Sequence, residues 1–359
     1  MRVTVAAWIG SANAGDELIF AALHRKLLAR GTHVTAITTG PTDADGSDVE
    51  RVGHLSPAAI RAVWSADALL VGGGGLLQDQ TSAFNLPYHL SRPALAAVAG
   101  IPRGGVGLGA GPLRTAAGRA QVRRALRGAV AISVRDRQSV EVLREIGVDD
   151  VRLGADLAFS LPSPQAAAED VICACLRPWR AAHGWLPVRT RGGRDVTAAH
   201  MVTRLARGLD QAAARLRLPV RMVAMQRDWD DLLHRRVADH MRAPVTLVSP
   251  RPQDVLEVIA ASRVVVAMRY HAAIGALLAG RPATLIGYDP KLAGLAEPMG
   301  PSARLLPWTA DGLDGLGAAI VDVTGRDDGL EAALAALRAR ERVNDTVLDD
   351  VLALAEAGG

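Results

Sequence analysis

Little in this 359-residue chain is aromatic or sulfur-bearing, and almost none of its positive charge is lysine. Phe, Trp and Tyr make up 3% of the residues, too few for the stacked platforms on which single-stranded nucleic acids lie. Net charge is +4, from 41 cations and 37 anions, with no long run of Lys or Arg; nucleic acid is therefore not an expected partner. The two cysteines, Cys173 and Cys175, stand two apart on an expected strand. Neighbours on one strand face do not bridge readily, and no second Cys or His pair stands at ligand spacing, so both read as small buried hydrophobes and no metal is expected. No apolar run reaches about 18 residues without Gly or a charge, which excludes a membrane-spanning helix. The opening MRVTVAAWIG reads as a strand and not as a signal peptide, which points to the cytoplasm. Lys26 and Lys291 are the only lysines among those 41 cations, so each merits attention.

What is present is alternation. Strand-like stretches at 2–9, 33–39, 67–71, 104–109 and 129–134 alternate with helical ones at 16–30, 57–64, 88–99, 115–127 and 137–146. After a Pro/Ser/Ala stretch at 160–170, a second series begins at VICACL (171–176). Its strands are expected at 220–225, 244–248, 264–268 and 282–287, and its helices at 197–216, 229–241, 252–261, 271–279, near 291–297 and at 311–322. A long Ala/Leu/Arg-rich helix closes the chain at 328–357. Apolar strands alternating with helices mean parallel sheets covered on both faces. The expected fold is therefore α/β, with two Rossmann-like domains facing a cleft: residues 1–165, residues 166–325, and 326–359 as a helix packing back across them. Ligands in such sheets bind beyond the carboxyl ends of the strands, so the strand-to-helix junctions carry the information.

Six junctions stand out. GSANAGDELI (10–19) has the glycine spacing of a phosphate loop, but Asp16 and Glu17 stand where Lys and Ser/Thr are needed. Asp16 reads either as a helix N-cap or as a carboxylate that orients or deprotonates a sugar hydroxyl, with Asn13 beside it. LLVGGGGLLQDQ (69–80) puts four glycines after a strand, an arrangement costly in backbone entropy; either a tight turn or the close approach of another group explains it, and Asp79 follows as a second cleft carboxylate. GVGLGAGPL (105–113) again opens a strand into glycines. In AISVRDRQSVEVL (131–143), Arg135 ends a strand and Asp136 can cap the next helix. MRYHAAIGALLAGRP (268–282) sets Arg269, Tyr270 and His271 between two apolar elements, and LIGYDPK (285–291) ends on Lys291. Three cations at strand ends suit a small, multiply charged anion: Arg holds carboxylate or phosphate through paired hydrogen bonds, Lys as a point charge.

Taken in order, GSANAGDELI, GGGGLLQD, GLGAGPL, SVRDRQSVEVL, GADLAFSLP, CLRPW and MRYHAAIGALLAGRPATLIGYDPK resemble the polysaccharide pyruvyl transferases over residues 3–310, most of all the branch acting on N-acetylmannosamine in bacterial cell-wall polymers. The resemblance implies two Rossmann-like domains in a GT-B-like arrangement. It implies transfer of the enolpyruvyl group of phosphoenolpyruvate to a sugar as a cyclic ketal, with no cofactor. Its phosphoenolpyruvate-binding positions fall on Arg135, Arg269, His271 and Lys291, and its cleft positions near the acceptor on Asn13, Asp16 and Asp79. Tyr270 departs from the residue common in relatives and receives no chemical role. His271 is the expected acid/base group, since imidazole titrates near neutrality, or else a clamp on phosphate. Asp16 or Asp79 is the expected base. The acceptor is expected to be lipid-linked, which would bring the protein to the inner membrane face. The Arg-rich segment 177–195 reads as a solvated loop or as a contact for an acceptor diphosphate or an anionic membrane. Two rival readings share the scaffold: a GT-B glycosyltransferase with a nucleotide-sugar donor, and a non-catalytic sensor of phosphorylated metabolites.

Overall fold

The computed structural model describes residues 1–40, 49–80, 82, 84–179, 198–288 and 290–358. The first half runs β1 (Arg2–Ile9), α1 (Ala14–Leu28), β2 (His33–Thr38), β3 (Glu50–Gly53), α2 (Pro57–Trp64), β4 (Ala68–Val71), β5 (Gly74–Leu77), α3 (Asn85–Val98), β6 (Arg103–Ala110), α4 (Ala116–Leu126), β7 (Ile132–Val134), α5 (Arg137–Glu145) and β8 (Arg152–Leu153). The second runs β9 (Ile172–Cys175), α6 (Ala199–Leu216), β10 (Val220–Val223), α7 (Asp230–Ala238), β11 (Val245–Val248), α8 (Val255–Ala260), β12 (Val264–Ala267), α9 (Tyr270–Leu278) and β13 (Ala283–Gly287). It closes with α10 (Ala293–Met299), β14 (Ala303–Pro307), α11 (Ala310–Asp314), α12 (Leu316–Val323), α13 (Leu330–Glu341) and α14 (Val343–Gly358).

The strands form two parallel sheets, as the alternation implied. One has the order β3-β2-β1-β4-β6-β7-β8, with β5 also pairing β6; the other has the order β11-β10-β9-β12-β13-β14. In each sheet the order reverses, between β1 and β4 and between β9 and β12, and such switch points open a crevice for ligands. Local signals set the helix starts. Asn13 caps α1 through Gly15 N, Ser56 caps α2 with Pro57 in its first turn, Thr115 caps α4, and Asp136 caps α5 through Ser139 N. Gly31 and Gly147 lie just past helix ends with φ of 67° and 77°, the left-handed geometry glycine supplies there.

Three strands escape the sequence pattern. β3 is a short polar edge strand, β14 is a half-exposed edge, and β5 is cut from the glycine run itself. The expected helix 328–357 is two helices parted at Arg342. The Pro/Ser/Ala stretch at 160–170 is held by neighbours: Glu257 accepts from Gln165 N and Ala166 N, and Arg338 donates to Leu161 O and Ser163 Oγ. One apolar core continues through both halves, joining Ile19 and Leu23 of α1, Phe159, Ile274 of α9, Leu337 of α13 and Val351 of α14.

The last two helices return to the first half. Lys26 of α1 lies 3.2 Å from Glu341 and 2.8 Å from Asp345, while Arg30 reaches Asp349 at 2.8 Å and Arg152 reaches Asp350 at 2.7 Å. Burial pushes the Glu341 carboxyl above its usual range against the pull of Lys26. Lys26 is thus a structural clamp. Removing one partner of a buried pair leaves an uncompensated charge, so Lys26→Met is expected to cost about 3 kcal/mol in denaturant unfolding. Adding Glu341→Gln to that variant should restore part of the loss.

Candidate functional site

The site forms where α1 of the first half meets α9 of the second. The turn after β1 uses positive φ at Gly10 and Ala12 and then enters α1. Ala14 N donates to Met225 O at 2.7 Å, and Asn13 forms an isolated bridge with Gln226, so this turn is docked on the loop after β10. Asn13 Nδ2 donates to Asp16 Oδ2 at 2.6 Å. Glu17 accepts from Gly10 N at 2.6 Å, engaging a turn amide that a phosphate loop would offer its ligand. Burial pushes the Asp16 carboxyl above the usual carboxylate range, against the pull of His271, Asn13, Arg135 and Arg269.

His271 sits in the first turn of α9, its ring against the backbone of α1: a Cβ at Gly15 would overlap the imidazole. Its Nε2 lies 3.6 Å from Asp156 Oδ2, too long for a hydrogen bond, and has no hydrogen-bond partner among the described residues. Asp156 is fully buried. Its Oδ1 accepts from Ala158 N at 3.0 Å and its Oδ2 from Arg135 Nη1 at 3.2 Å. Burial pushes the Asp156 carboxyl up, but the charges of His271 and Arg135 and the Ala158 amide prevail and hold it at about 2.

Arg135 lies just past β7 in a slot between glycines. A Cβ at Gly109 would stand 3.0 Å from its Nε and Nη2, and one at Gly75 would stand 3.6 Å from Nη2. Gly74 similarly borders Asp16. The close approach that the glycine runs suggested is thus made by the chain's own Arg135 and Asp16. The Arg135 guanidinium stacks over the Tyr270 ring, 4.6 Å from its centroid. Burial works against its charge, yet Asp156 and Asp136 raise its pKa. Burial likewise raises the Tyr270 phenol, against the pull of Arg135. Tyr270 is therefore a neutral platform, with its ring edge-on to His271 at 5.5 Å.

Arg269 precedes α9 and is tied to Asp230, which is fully buried at the start of α7: Nε donates to Oδ2 at 3.1 Å and Nη2 pairs with Oδ1. Nη2 also donates to Gln226 Oε1 at 3.2 Å, and Gln226 N donates to Asp230 Oδ2 at 2.9 Å. Of the three cations expected at strand ends, Arg135 and Arg269 are thus paired to buried carboxylates within the protein. Lys291 follows β13, one strand over from β12, so its loop opens at the same end of the sheet as Arg269. It lies with Arg177 near the Tyr288 ring, at 6.0 and 4.7 Å, and Arg177 donates to the Tyr288 hydroxyl at 2.6 Å. Of the Arg-rich segment 177–195, residues 180–195 lie outside the described residues.

Asp79 goes elsewhere. Its Oδ1 accepts from Arg114 N at 2.7 Å, and its Oδ2 accepts from Thr115 N at 2.9 Å and Thr115 Oγ1 at 2.7 Å. Partial burial pushes its carboxyl up, but these donors outweigh burial and lower its pKa. The reading of Asp79 as a cleft base is corrected on these contacts: it clamps the loop before α4. Asp156, Asp230 and Gln226 were not singled out from sequence. Asp156 sits in GADLAFSLP, where it looks like an ordinary turn cap, a role it also has. Cys173 and Cys175 are buried, with sulfurs 3.8 Å apart. Among the described residues no group of three or more His, Cys, Asp or Glu could hold a metal.

The family model for polysaccharide pyruvyl transferases matches residues 13–290, from the Asn13 cap through both switch points. The chain belongs to this family. It is a transferase that moves a pyruvyl group onto a polysaccharide or sugar acceptor. No curated protein sequence matches it. Among solved structures it is similar to the glycosyltransferase SnogD from Streptomyces nogalater, with a TM-score of 0.57, 18% identity and 99% of each chain covered. It is also similar to a UDP-GlcNAc 2-epimerase from Neisseria meningitidis bound to UDP-GlcNAc, with a TM-score of 0.57, 11% identity, and 98% and 100% covered. MurG from Acinetobacter baumannii gives a TM-score of 0.51, 15% identity, and 97% and 99% covered. At these identities the likeness shows the fold, a GT-B-like pair of sheets, which the pyruvyl transferase family shares here with enzymes of other chemistry.

Gly15 tests the junction without removal of a functional side chain. Alanine favours a helix over glycine by up to about 1 kcal/mol, so Gly15→Ala stabilises α1 unless its Cβ meets the imidazole. The expected result is an enzyme with native circular dichroism and turnover reduced at least about 100-fold, the scale of loss when a reacting group is displaced by about 1 Å.

Proposed function

We propose that the enzyme transfers the enolpyruvyl group of phosphoenolpyruvate to two hydroxyls of one sugar, giving a cyclic ketal and inorganic phosphate. The acceptor in this reading is N-acetylmannosamine in a lipid-linked cell-wall polysaccharide precursor, and the enzyme works on the cytoplasmic side, at the inner face of the membrane. No helix among the described residues is long and apolar enough to cross a membrane. The observation that carries the reading is the match over residues 13–290 together with the convergence of Arg135, Asp16 and His271 from both halves. The nucleotide-sugar alternative draws on shared fold alone.

In the reaction a proton adds to the methylene carbon, making it a methyl group, while an acceptor hydroxyl attacks the neighbouring carbon. The C–O bond to phosphate then breaks, the second hydroxyl closes on the same carbon, and its proton leaves with phosphate. His271 Nε2 is the proton donor or the phosphate clamp: it is buried, lacks a hydrogen-bond partner among the described residues and faces the Asp156 carboxylate. Arg135, Arg269 and Lys291 hold the donor's phosphate and carboxylate with the N–H groups left after their pairing within the protein. Asp16, with a carboxyl raised by burial, takes the proton of the first hydroxyl, and Asn13 orients the sugar.

Mass spectrometry of sugar-diphospholipid acceptors incubated with phosphoenolpyruvate is expected to show the gain of one pyruvate ketal with release of phosphate. His271→Ala should lower that turnover at least about 100-fold, the lower range for loss of a general acid. Stabilisation of the protein by uridine-diphosphate sugars with no response to phosphoenolpyruvate would favour the glycosyltransferase instead.

A further inference from the structure

Between Asp79 and Asp136 the chain carries eight arginines and not one carboxylate. That stretch alone has a charge of +8, so the remainder carries −4 of the net +4. It spans α3, β6, α4 and β7, and α3 packs between α2 and α4. α2 adds the exposed Arg61 and no acid. Arg119, Arg123, Arg124 and Arg127 on and beside α4 are exposed. None of Arg123, Arg124 and Arg127 makes a salt bridge among the described residues.

The same face exposes large apolar side chains. Leu55 is 84% exposed, Val98 80%, Trp64 58% and Ile60 57%. Trp64 and Val98 end α2 and α3 as Arg123, Arg124 and Arg127 end α4, and each of these helices leads into the next strand of one parallel sheet, so all three finish at the same end of it. Between α2 and α3 runs a groove of about 410 Å³ walled by Leu55, Ile60, Val63 and Leu95. Arg92 borders it and donates to Tyr88 O at 2.8 Å and to His54 O. The nearest acids in sequence, Asp67 and Glu50, are engaged with Arg2 N and Thr35 Oγ1.

We infer that the α2–α3–α4 face docks on the surface of an anionic lipid bilayer. Arginines that form no salt bridge among the described residues meet the headgroups, and Trp64, Val98, Leu55 and Ile60 enter the boundary below them, the pairing of basic and apolar groups typical of interfacial binding. A second copy of this chain would set like charges against each other, and a nucleic acid backbone would leave the four apolar side chains in water. The inference deepens the reading of a lipid-linked acceptor, and rests on it only for why the enzyme meets a membrane.

The test is flotation of the full-length protein, without acceptor or phosphoenolpyruvate, with vesicles of phosphatidylcholine alone or mixed with phosphatidylglycerol. The expected result is binding to the mixed vesicles only, weakened by salt. The combined Arg123→Ser, Arg124→Ser and Arg127→Ser variant should lose affinity on the order of 100-fold, at about five-fold per cation near the surface. Trp64→Ser should lose several-fold at the same salt. An unchanged unfolding midpoint and unchanged ketal formation on a soluble acceptor show that the variants are folded. Absence of flotation, flotation undiminished in the triple variant, or a dimer in light scattering that the triple variant dissolves would each overturn the inference. Flotation as expected with no ketal formation would leave it standing and remove the proposed reaction instead.

Discussion

Asp156 holds a negative charge where water does not reach, and much of the site is arranged around that charge. Arg135 comes to it from β7 and His271 from α9, so one carboxylate joins groups from both sheets. A buried carboxylate without partners would take up a proton; this one is held ionised by His271, Arg135 and the Ala158 amide beside it. The rest of the local sequence makes those approaches geometrically open. Gly109 and Gly75 leave the guanidinium its slot, Gly15 leaves the imidazole its place against α1, and Tyr270 floors both.

The chain's end serves the same carboxylate from behind. Asn344 donates to Ala155 O at 3.1 Å, Arg340 to Gly154 O at 2.9 Å and Arg338 to Phe159 O at 3.2 Å, so α13 and α14 grip the segment that carries Asp156 on either side. Asn344 also accepts from Ser133 Oγ at 2.7 Å, on the strand that delivers Arg135. A helix pair remote in sequence thereby fixes a charge that another half of the molecule uses.

The alternation of strands and helices was legible because parallel strands are buried on both faces and read as apolar runs; β12, VVVA, is the plainest case. Strands β3 and β14 were not, because edge strands keep polar or exposed residues. The strand-end logic found Arg135, Arg269 and His271, and it found Asp16 with Asn13. It misplaced Asp79 because proximity to a glycine run in sequence says nothing of which amides the carboxylate will meet. It passed over Asp156 and Asp230 because an Asp at the start of a helix has the signature of a cap. Only the fold shows that each faces an arginine from a distant segment. Tyr270, unassigned from sequence, is explained by the guanidinium stacked on it.

The central claim is that the charge of Asp156 joins Arg135 of one sheet to His271 of the other and holds both in place for the reaction. Turnover of phosphoenolpyruvate by the wild type and by Asp156→Asn, which keeps the shape of the side chain and removes its charge, tests it most directly. The variant is expected to keep native circular dichroism and to lose kcat/KM by about 100-fold, the scale of loss when a reacting group is displaced by about 1 Å. A folded Asp156→Asn variant with wild-type kcat/KM would contradict the account.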